Sequence, residues 1–349
     1  MINRKWLRDL TQRAKPENNV KMSNRSRLKK MIIAGVVRTL NEDDIIEAVV
    51  RHHLAQMDRV IVLDDGSHDR TAEIVKNLIT EGLPVSLIER KCVIFDEANR
   101  NTFLFDYARD TFGADWVVFF DADEFVDTRG IASSLNSYLQ NVAPEVDGIQ
   151  VRLVNYMDAA TDNADEIVVP KRMVWRHTVP HDVLKIFVRT DRNITINAGN
   201  HSAQRVGGPF KTVQEPNIVL AHYPRRSGWH DIYKWVIGRL KITAAGSKEV
   251  SAGTGSHYIA PFEILMNRPA DLLNSEGFFH PHPDTQIMSN NPIEYLGGEL
   301  RYTQMTDYKM KCVSMILKYA IELAGEFGHQ MDTNEAVRNH VASGLRINQ

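Results

Sequence analysis

Two aspartates one residue apart, Asp121 and Asp123, close the apolar run Trp116-Val117-Val118-Phe119-Phe120. Such a pair can aim its oxygens at a common point. Hard divalent ions such as Mg2+ or Mn2+ take oxygen ligands, and Mg2+ usually draws on one or two protein carboxylates plus the phosphates of a substrate. The five bulky residues before the pair predict a strand buried on both faces. Ligands of open α/β sheets collect outside the carboxyl ends of the strands, which puts the two acids where a metal and a diphosphate could be met. The alternative reading is an acidic strand-to-turn junction that holds no ligand.

Other segments must bring partners to this strand end. Met31-Ile32-Ile33-Ala34-Gly35-Val36-Val37 is a continuous apolar run of strand length, and the polar loop Arg38 to Asp44 follows it. Ile45, Ile46, Val49, Val50 and Leu54 then recur at helical spacing, with Asn41 or Asp43 available as N-cap. Val60 to Leu63 predicts a second strand, followed by Asp64-Asp65-Gly66-Ser67-His68-Asp69-Arg70-Thr71 and an amphipathic helix through Leu78. Pro84 to Ile88 gives a third strand, and a helix around Thr102 to Phe112 leads into the Trp116 strand. Alternating strands and helices with short connections predict an α/β fold, a parallel sheet with helices on its faces. The loops after the first, second and fourth strands then share one rim. Walker-type and Gly-x-Gly-x-x-Gly phosphate loops are absent from the sequence, which argues against the P-loop and dinucleotide-binding versions of this architecture.

The bulk composition narrows the function further. With 349 residues, 43% of them hydrophobic and 25% charged, the chain can bury a large core. A formal net charge of −2 gives no global attraction to nucleic acid or anionic membrane, and no nucleic-acid partner is expected. Cys92 and Cys312 offer neither a disulfide framework nor metal-ligand spacing, in keeping with a reducing cytoplasm. No run approaches the roughly 18 to 20 apolar residues needed to span a bilayer. Residues 1 to 30 form a basic arm, in which ten lysines and arginines face only Asp9 and Glu17. Trp6, Leu7 and Leu10 could rest in a lipid headgroup region while the basic residues meet anionic lipid, a peripheral contact at the inner face of the membrane. A solvated tail is the equal alternative.

Three segments together resemble a known family. Arg38-Thr39-Leu40-Asn41-Glu42, then Leu63 to Thr71, then Asp121-Ala122-Asp123-Glu124-Phe125 are similar to the ordered nucleotide-sugar motifs of family 2 glycosyltransferases with the GT-A fold. The resemblance spans roughly residues 31 to 130, and the interval 121 − 65 = 56 residues is family-like. It implies a GT-A type nucleotide-sugar-binding sheet with helices on both faces at residues 31–226 and a mainly helical C-terminal region at 227–349. Asp65 would accept a hydrogen bond from the base or ribose, with Asn41 and Glu42 framing the base. Ser67 and Asp69 suit the N-cap of the next helix. Arg38 could neutralise a phosphate or pair with Asp43 or Asp44. Asp121 and Asp123 would hold Mn2+ or Mg2+ against the diphosphate. Glu124 would touch that metal through water or close the turn.

The later half carries strand-then-histidine elements similar to a bacterial subgroup of the same superfamily. Ile194 to Ile196 leads to Gly199-Asn200-His201-Ser202, and Ile218 to Ala221 delivers His222-Tyr223-Pro224-Arg225-Arg226-Ser227. There His222 or His201 could complete the metal shell and Arg225 or Arg226 could pair with phosphate. For the base that takes the acceptor proton, Asp182, just before the strand Val183 to Arg189, is the first candidate and Glu215 the reserve. Beyond residue 226, helices are expected at Trp229 to Ile242 and Tyr308 to Leu323, in a region that could cover the acceptor or support a homo-oligomer. His280 and His282, flanked by prolines, read as a solvated loop. The expected activity is a metal-dependent, inverting transfer of a sugar from a nucleotide-sugar donor to a glycan or lipid-linked acceptor, in surface polysaccharide synthesis. The rivals are a nucleotidyltransferase of related fold and a non-catalytic nucleotide-sugar-binding protein.

Overall fold

The structure is a computed structural model that describes residues 30–90, 97–191, 193–251 and 253–343. The basic arm through residue 29, for which a membrane contact is an expectation, and Cys92 lie outside the described residues. The first half alternates as expected: β1 (Ile33–Thr39), α1 (Ile46–Leu54), β2 (Arg59–Asp64), α2 (Thr71–Thr80), β3 (Val85–Glu89), α3 (Glu97–Phe112) and β4 (Trp116–Asp121). After β4 come β5 (Glu124–Asp127), α4 (Leu135–Gln140), β6 (Gly148–Met157), α5 (Val169–Arg172), β7 (Trp175–His177), β8 (Leu184–Arg189), β9 (Ile194–Ile196), β10 (Ala203–Arg205) and β11 (Thr212–His222).

The order β3-β2-β1-β4 is parallel, as the alternation predicts. Beyond β4 the sheet departs from the all-parallel expectation, because β8 pairs antiparallel with both β4 and β6. β11 runs parallel to β6 and antiparallel to β5.

Both faces of the central strands are covered. On one, Ile33, Val37, Val60, Val62, Val118 and Phe120 pack with α1, α2 and Leu135 and Leu139 of α4. On the other, Ala34, Val36, Ile61, Leu63, Val117 and Phe119 pack against Leu104, Phe105 and Ala108 of α3. Burial on both sides is why these strands read as unbroken apolar runs. At Gly35 a Cβ would stand 2.8 Å from the Phe120 ring and 2.9 Å from Met57 Sδ, so β1 needs glycine where β4 presses closest.

The C-terminal region is helical: α6 (Gly228–Ala244), the short α7 (Ser247–Ser251), α8 (Ile259–Asn267), α9 (Pro269–Leu273) and α10 (Glu276–Phe279), then β12 (Met288–Asn290), the long α11 (Tyr308–Thr333) and α12 (Glu335–Ala342). Ser227 Oγ caps α6 by accepting from His230 N at 3.0 Å. Ile232, Tyr233 and Ile237 of α6 pack on Cys312, Met315 and Tyr319 of α11. Polar anchors tie α11 to the sheet rim: Lys311 Nζ is 2.5 Å from Asp43 and 2.8 Å from Asp69, and Tyr308 donates to Asp44 at 2.7 Å. Among the described residues no helix is long and apolar enough to cross a membrane.

Candidate active site

Strand register makes the three acidic loops converge. Arg38 stands opposite Leu63 on one side and Asp121 on the other, while Thr39 stands opposite Asp64. The three carboxyl ends therefore stop at one level, and the side chains just beyond them open into a single cavity of about 940 Å3. Arg38, Asn41, Glu42, Asp65, Asp121 and Asp123 all line it. His201 and His222 line it too, and one face of α6 forms its far wall.

The first two loops are stapled to each other. Asn41 adopts a left-handed backbone with φ of 61°, its N–H donates to Ser67 Oγ at 2.8 Å, and its Oδ1 accepts from His68 N at 2.7 Å. Ser67 in turn meets Asp64 through both its N–H and its hydroxyl, and Gly66 supplies the turn with φ of 90°. Glu42 N donates to Thr71 Oγ1 at 2.8 Å. These bonds correct the expected caps. Neither Asn41 nor Asp43 caps α1, whose N-cap position is Ile45, and the N–H groups of Ile45 and Ile46 bond to Glu42 O instead. Ser67 likewise caps no helix, whereas Asp69 does accept from Thr71 N at the start of α2. Cross-loop bonds outcompete local capping because two buried loops must satisfy their N–H groups somewhere.

Each motif aspartate is paired with cations from elsewhere in the chain. Asp65 stands 2.6 Å from Arg100 Nη1 and 2.6 Å from Lys241 Nζ. Asp121 is 2.5 Å from Lys185 Nζ and 3.8 Å from Arg38 Nη2, and Asp123 is 2.8 Å from Lys234 Nζ. Burial pushes the carboxyls of Asp121 and Asp123 up, but the neighbouring lysines outweigh it and hold both below the usual carboxylate range. Glu124 behaves oppositely: burial, together with Asp121 and Asp123, raises it to about 8 despite Lys185 at 3.2 Å. Its Oε2 accepts from Asp121 N at 2.8 Å, which is the turn-closing role.

His222 sits in the closing strand with its partners fixed by register, opposite Glu124 of β5 and Asn155 of β6. Burial lowers it to about 4, so the ring is neutral at neutral pH. Its Nδ1 lies 2.8 Å from Asn155 Oδ1, an oxygen that can only accept, so the proton is assigned to Nδ1. The Nε2 lone pair then faces Asp123 Oδ1 at 3.7 Å. Two acceptors turned toward each other repel unless a cation or proton lies between them. The donor set of Asp121, Asp123 and His222 Nε2 thus fits a divalent cation in kind, although among the described residues no three His, Cys, Asp or Glu side chains already stand together in metal-holding geometry.

Several expected residues lie elsewhere or hold other partners. Arg38 pairs with Glu97 at 3.1 Å and with Asp121, not with Asp43 or Asp44, which Lys311 and Arg226 take. Glu42 is bound by Arg226 and is raised by burial to about 7. Arg225 does not line the cavity and is held by Asp158 at 2.7 Å, Asp231 at 3.0 Å and Phe278 O. His201 reaches the cavity rim, but its Nδ1 meets Leu184 O at 2.9 Å; its neighbour Asn200 is the one near Asp121, at 3.5 Å. The two base candidates do not line the cavity. The Asp182 side chain is fully exposed in a loop and 4.0 Å from Arg152, and Glu215 lies at a register shift in β11, where it accepts from Asn217 N.

What sequence reading missed is the α6 wall. Asp231, Lys234, Gly238 and Lys241 recur at three- and four-residue spacing, and all line the cavity. The signal was present as a polar stripe beside a glycine in an otherwise amphipathic helix. Asp231 is raised to about 6 by burial, against the opposing pull of Arg225 and Lys234.

No curated protein matches the chain. Among solved structures it is similar to TarS of S. aureus, at 17% identity over 71% of this chain and 74% of that one with a TM-score of 0.33. It is also similar to the mannosyltransferase PcManGT of Pyrobaculum calidifontis in complex with GDP-Man and Mn2+, at 15% identity over 90% and 93% with a TM-score of 0.36. A third is the glucosyl-3-phosphoglycerate synthase of Mycobacterium tuberculosis with Mg2+ and UDP, at 19% identity over 35% and 44% with a TM-score of 0.25. The family model of glycosyl transferase family 2 matches residues 36–160, the stretch that carries all three motifs. Residues 36–160 thus match a glycosyl transferase family 2 domain, and the chain is a glycosyltransferase.

Proposed function

We propose that the cavity binds a nucleoside diphosphate sugar and that the chain transfers the sugar, with inversion, to a hydroxyl of a glycan or lipid-linked acceptor. The observation that carries this reading is that Asp65, Asp121 and Asp123 meet in one cavity although 56 residues separate the second motif from the third. Asp65 lies at the nucleoside end and the Asp121–Asp123 pair at the diphosphate end. Mn2+ or Mg2+ would be held by Asp121, Asp123 and His222, and when bound it supplies Lewis-acid stabilisation of the charge on the departing diphosphate. Asn155 orients His222 through Nδ1 so that Nε2 remains free to ligate.

Removing the acceptor proton requires a carboxylate on the cavity wall, a condition that Asp182 and Glu215 do not meet. Asp231 does meet it, and Arg225 at 3.0 Å fixes its orientation. A carboxylate raised to about 6 is ionised at neutral pH yet more basic than an ordinary aspartate, which suits a general base. Trp235, His257 and Tyr258 add an aromatic side to the same cavity, the kind of surface on which a sugar ring stacks. Support for a glycan acceptor rests on that surface, and surface polysaccharide synthesis is the process such an acceptor would serve.

The test is donor hydrolysis. The purified protein would be incubated with uridine, guanosine, cytidine, thymidine and adenosine diphosphate sugars and Mn2+, and nucleoside diphosphate release followed. Release from at least one donor, abolished in Asp123→Ala, is expected; no release from any of them refutes the reading.

A further inference from the structure

The three motif aspartates share a feature their own loops do not supply, a lysine from the second half of the chain against each carboxylate. Lys185 is only 3% exposed and is wedged between Asp121 and Glu124, where it serves as a fixed internal counter-charge. Lys234 and Lys241 are different. They stand seven residues apart on α6, about 10 Å along its axis, on the stripe that faces the cavity. One grips Asp123 at the diphosphate end at 2.8 Å and the other grips Asp65 at the nucleoside end at 2.6 Å. Between them lies Gly238, where a Cβ would come within 2.7 Å of the Tyr258 ring. The helix thus runs lengthwise along the cavity with both ammonium groups on its lining, and the Tyr258 ring lies against the glycine between them.

We propose that Lys234 and Lys241 are ligands for the phosphates of the nucleoside diphosphate, exchanging their carboxylate partners for phosphate oxygens when the donor enters. The inference rests on the donor reading above and adds to it the residues that grip the phosphates. Lysine is a compact charge with three donors on a flexible stem, able to swing between two anions without moving the helix. Both carboxylates can release their lysine without being left alone. Asp65 keeps Arg100 at 2.6 Å, and its second oxygen becomes free for the base or ribose. Asp123 would exchange Lys234 for the divalent cation that it, Asp121 and His222 would hold, so its charge stays compensated. The Lys234 side chain is 30% exposed, open to the cavity it would reach into.

The exchange is tested by binding rather than turnover. Titration calorimetry with UDP, GDP, CDP, TDP and ADP in the presence of Mn2+, and ligand-observed NMR with the matching nucleosides, would compare the wild type with Lys234→Met, Lys241→Met, Lys234→Gln and Lys241→Gln. Expected is a loss of at least tenfold in nucleoside diphosphate affinity for each Met and Gln variant, with nucleoside affinity not reduced. Diphosphate affinity equal to wild type overturns the inference while leaving the donor reading intact. A parallel fall in diphosphate and nucleoside affinity also overturns it, because it marks a structural role. If the wild type binds no nucleoside diphosphate at all, the donor reading falls and the inference falls with it.

Discussion

Arg226 reaches two carboxylates of the first loop at once: its Nε lies 2.5 Å from Asp44 Oδ2, and its Nη2 bonds to Glu42. This buried triad joins the segment that follows β11 to the loop that follows β1, so the closing strand and the first motif are held as one unit. Replacing one member of a buried ion pair leaves the others uncompensated, at a cost of about 3–5 kcal/mol. Arg226→Met is therefore expected to lower the unfolding free energy measured in urea by that amount, seen as a lower midpoint. A midpoint equal to wild type would contradict the triad's role.

The proposed base sets a pH dependence with a definite sign. Burial raises Asp231 to about 6, so it is protonated below that pH and ionised above it. A base acts only in its ionised form, so kcat/KM is expected to fall as pH drops through about 6 and to be level above it on this limb. Asp231→Asn should lose about 10²- to 10⁴-fold in kcat while retaining donor binding. An unchanged acid limb in that variant would remove Asp231 from the proton transfer.

Asn155 makes no direct claim on a metal, yet its Oδ1 fixes the His222 tautomer from 2.8 Å away. Partners of this kind are worth about 10- to 100-fold in metal affinity. Mn2+ binding followed by electron paramagnetic resonance is expected to weaken by that factor in Asn155→Ala, with Asn155→Asp retaining more. Equal Mn2+ affinity in wild type and Asn155→Ala would show that His222 needs no such orientation or does not ligate.

Glu47, fully buried in α1, anchors a C-terminal strap. It accepts from the N–H groups of Arg301, Tyr302 and Thr303 at 2.7–2.8 Å and from Arg51 at 2.9 Å. Burial alone would raise its carboxyl, but these donors outweigh it and lower the group below its ordinary 4.5. A depressed carboxyl contributes stability that is present above the unfolded value and is lost as pH falls toward the folded one. Wild-type stability should therefore decline below about pH 4.5, and Glu47→Gln should lose roughly 3 kcal/mol at pH 7 and show less of the acid-side decline. Parallel curves for the two proteins would refute the assignment.

Legibility in the sequence followed the range of the interactions. The three motif loops could be read because each is a buried apolar strand ended by acids, a local pattern that survives without knowing its neighbours. Parallel register then placed Arg38 beside Asp121 and Thr39 beside Asp64. The cap assignments for Asn41, Asp43 and Ser67 failed because bonds between loops 26 and 27 residues apart in sequence replaced the local ones. Asp182 was drawn in by the strand that follows it, but the loop before that strand faces solvent. The lysines of α6 were hidden for another reason. A lysine on an amphipathic helix reads as a solvated charge unless the opposite wall is known, and that wall comes from residues 65 and 123, more than 100 positions earlier in the chain. His222 was legible as the end of an apolar strand; its neutral state and fixed tautomer were not, because the first depends on burial by the folded chain and the second on Asn155 across the sheet.

Thermal unfolding with nucleotide sugars tests the central claim most directly. Wild-type protein and Asp65→Ala would be heated with each nucleoside diphosphate sugar in the presence and absence of Mn2+. A rise in wild-type Tm with at least one donor, larger with Mn2+ and absent in Asp65→Ala, is the expected result. A wild-type Tm that no nucleotide sugar moves, with or without the cation, would contradict a nucleotide-sugar site between Asp65 and Asp123.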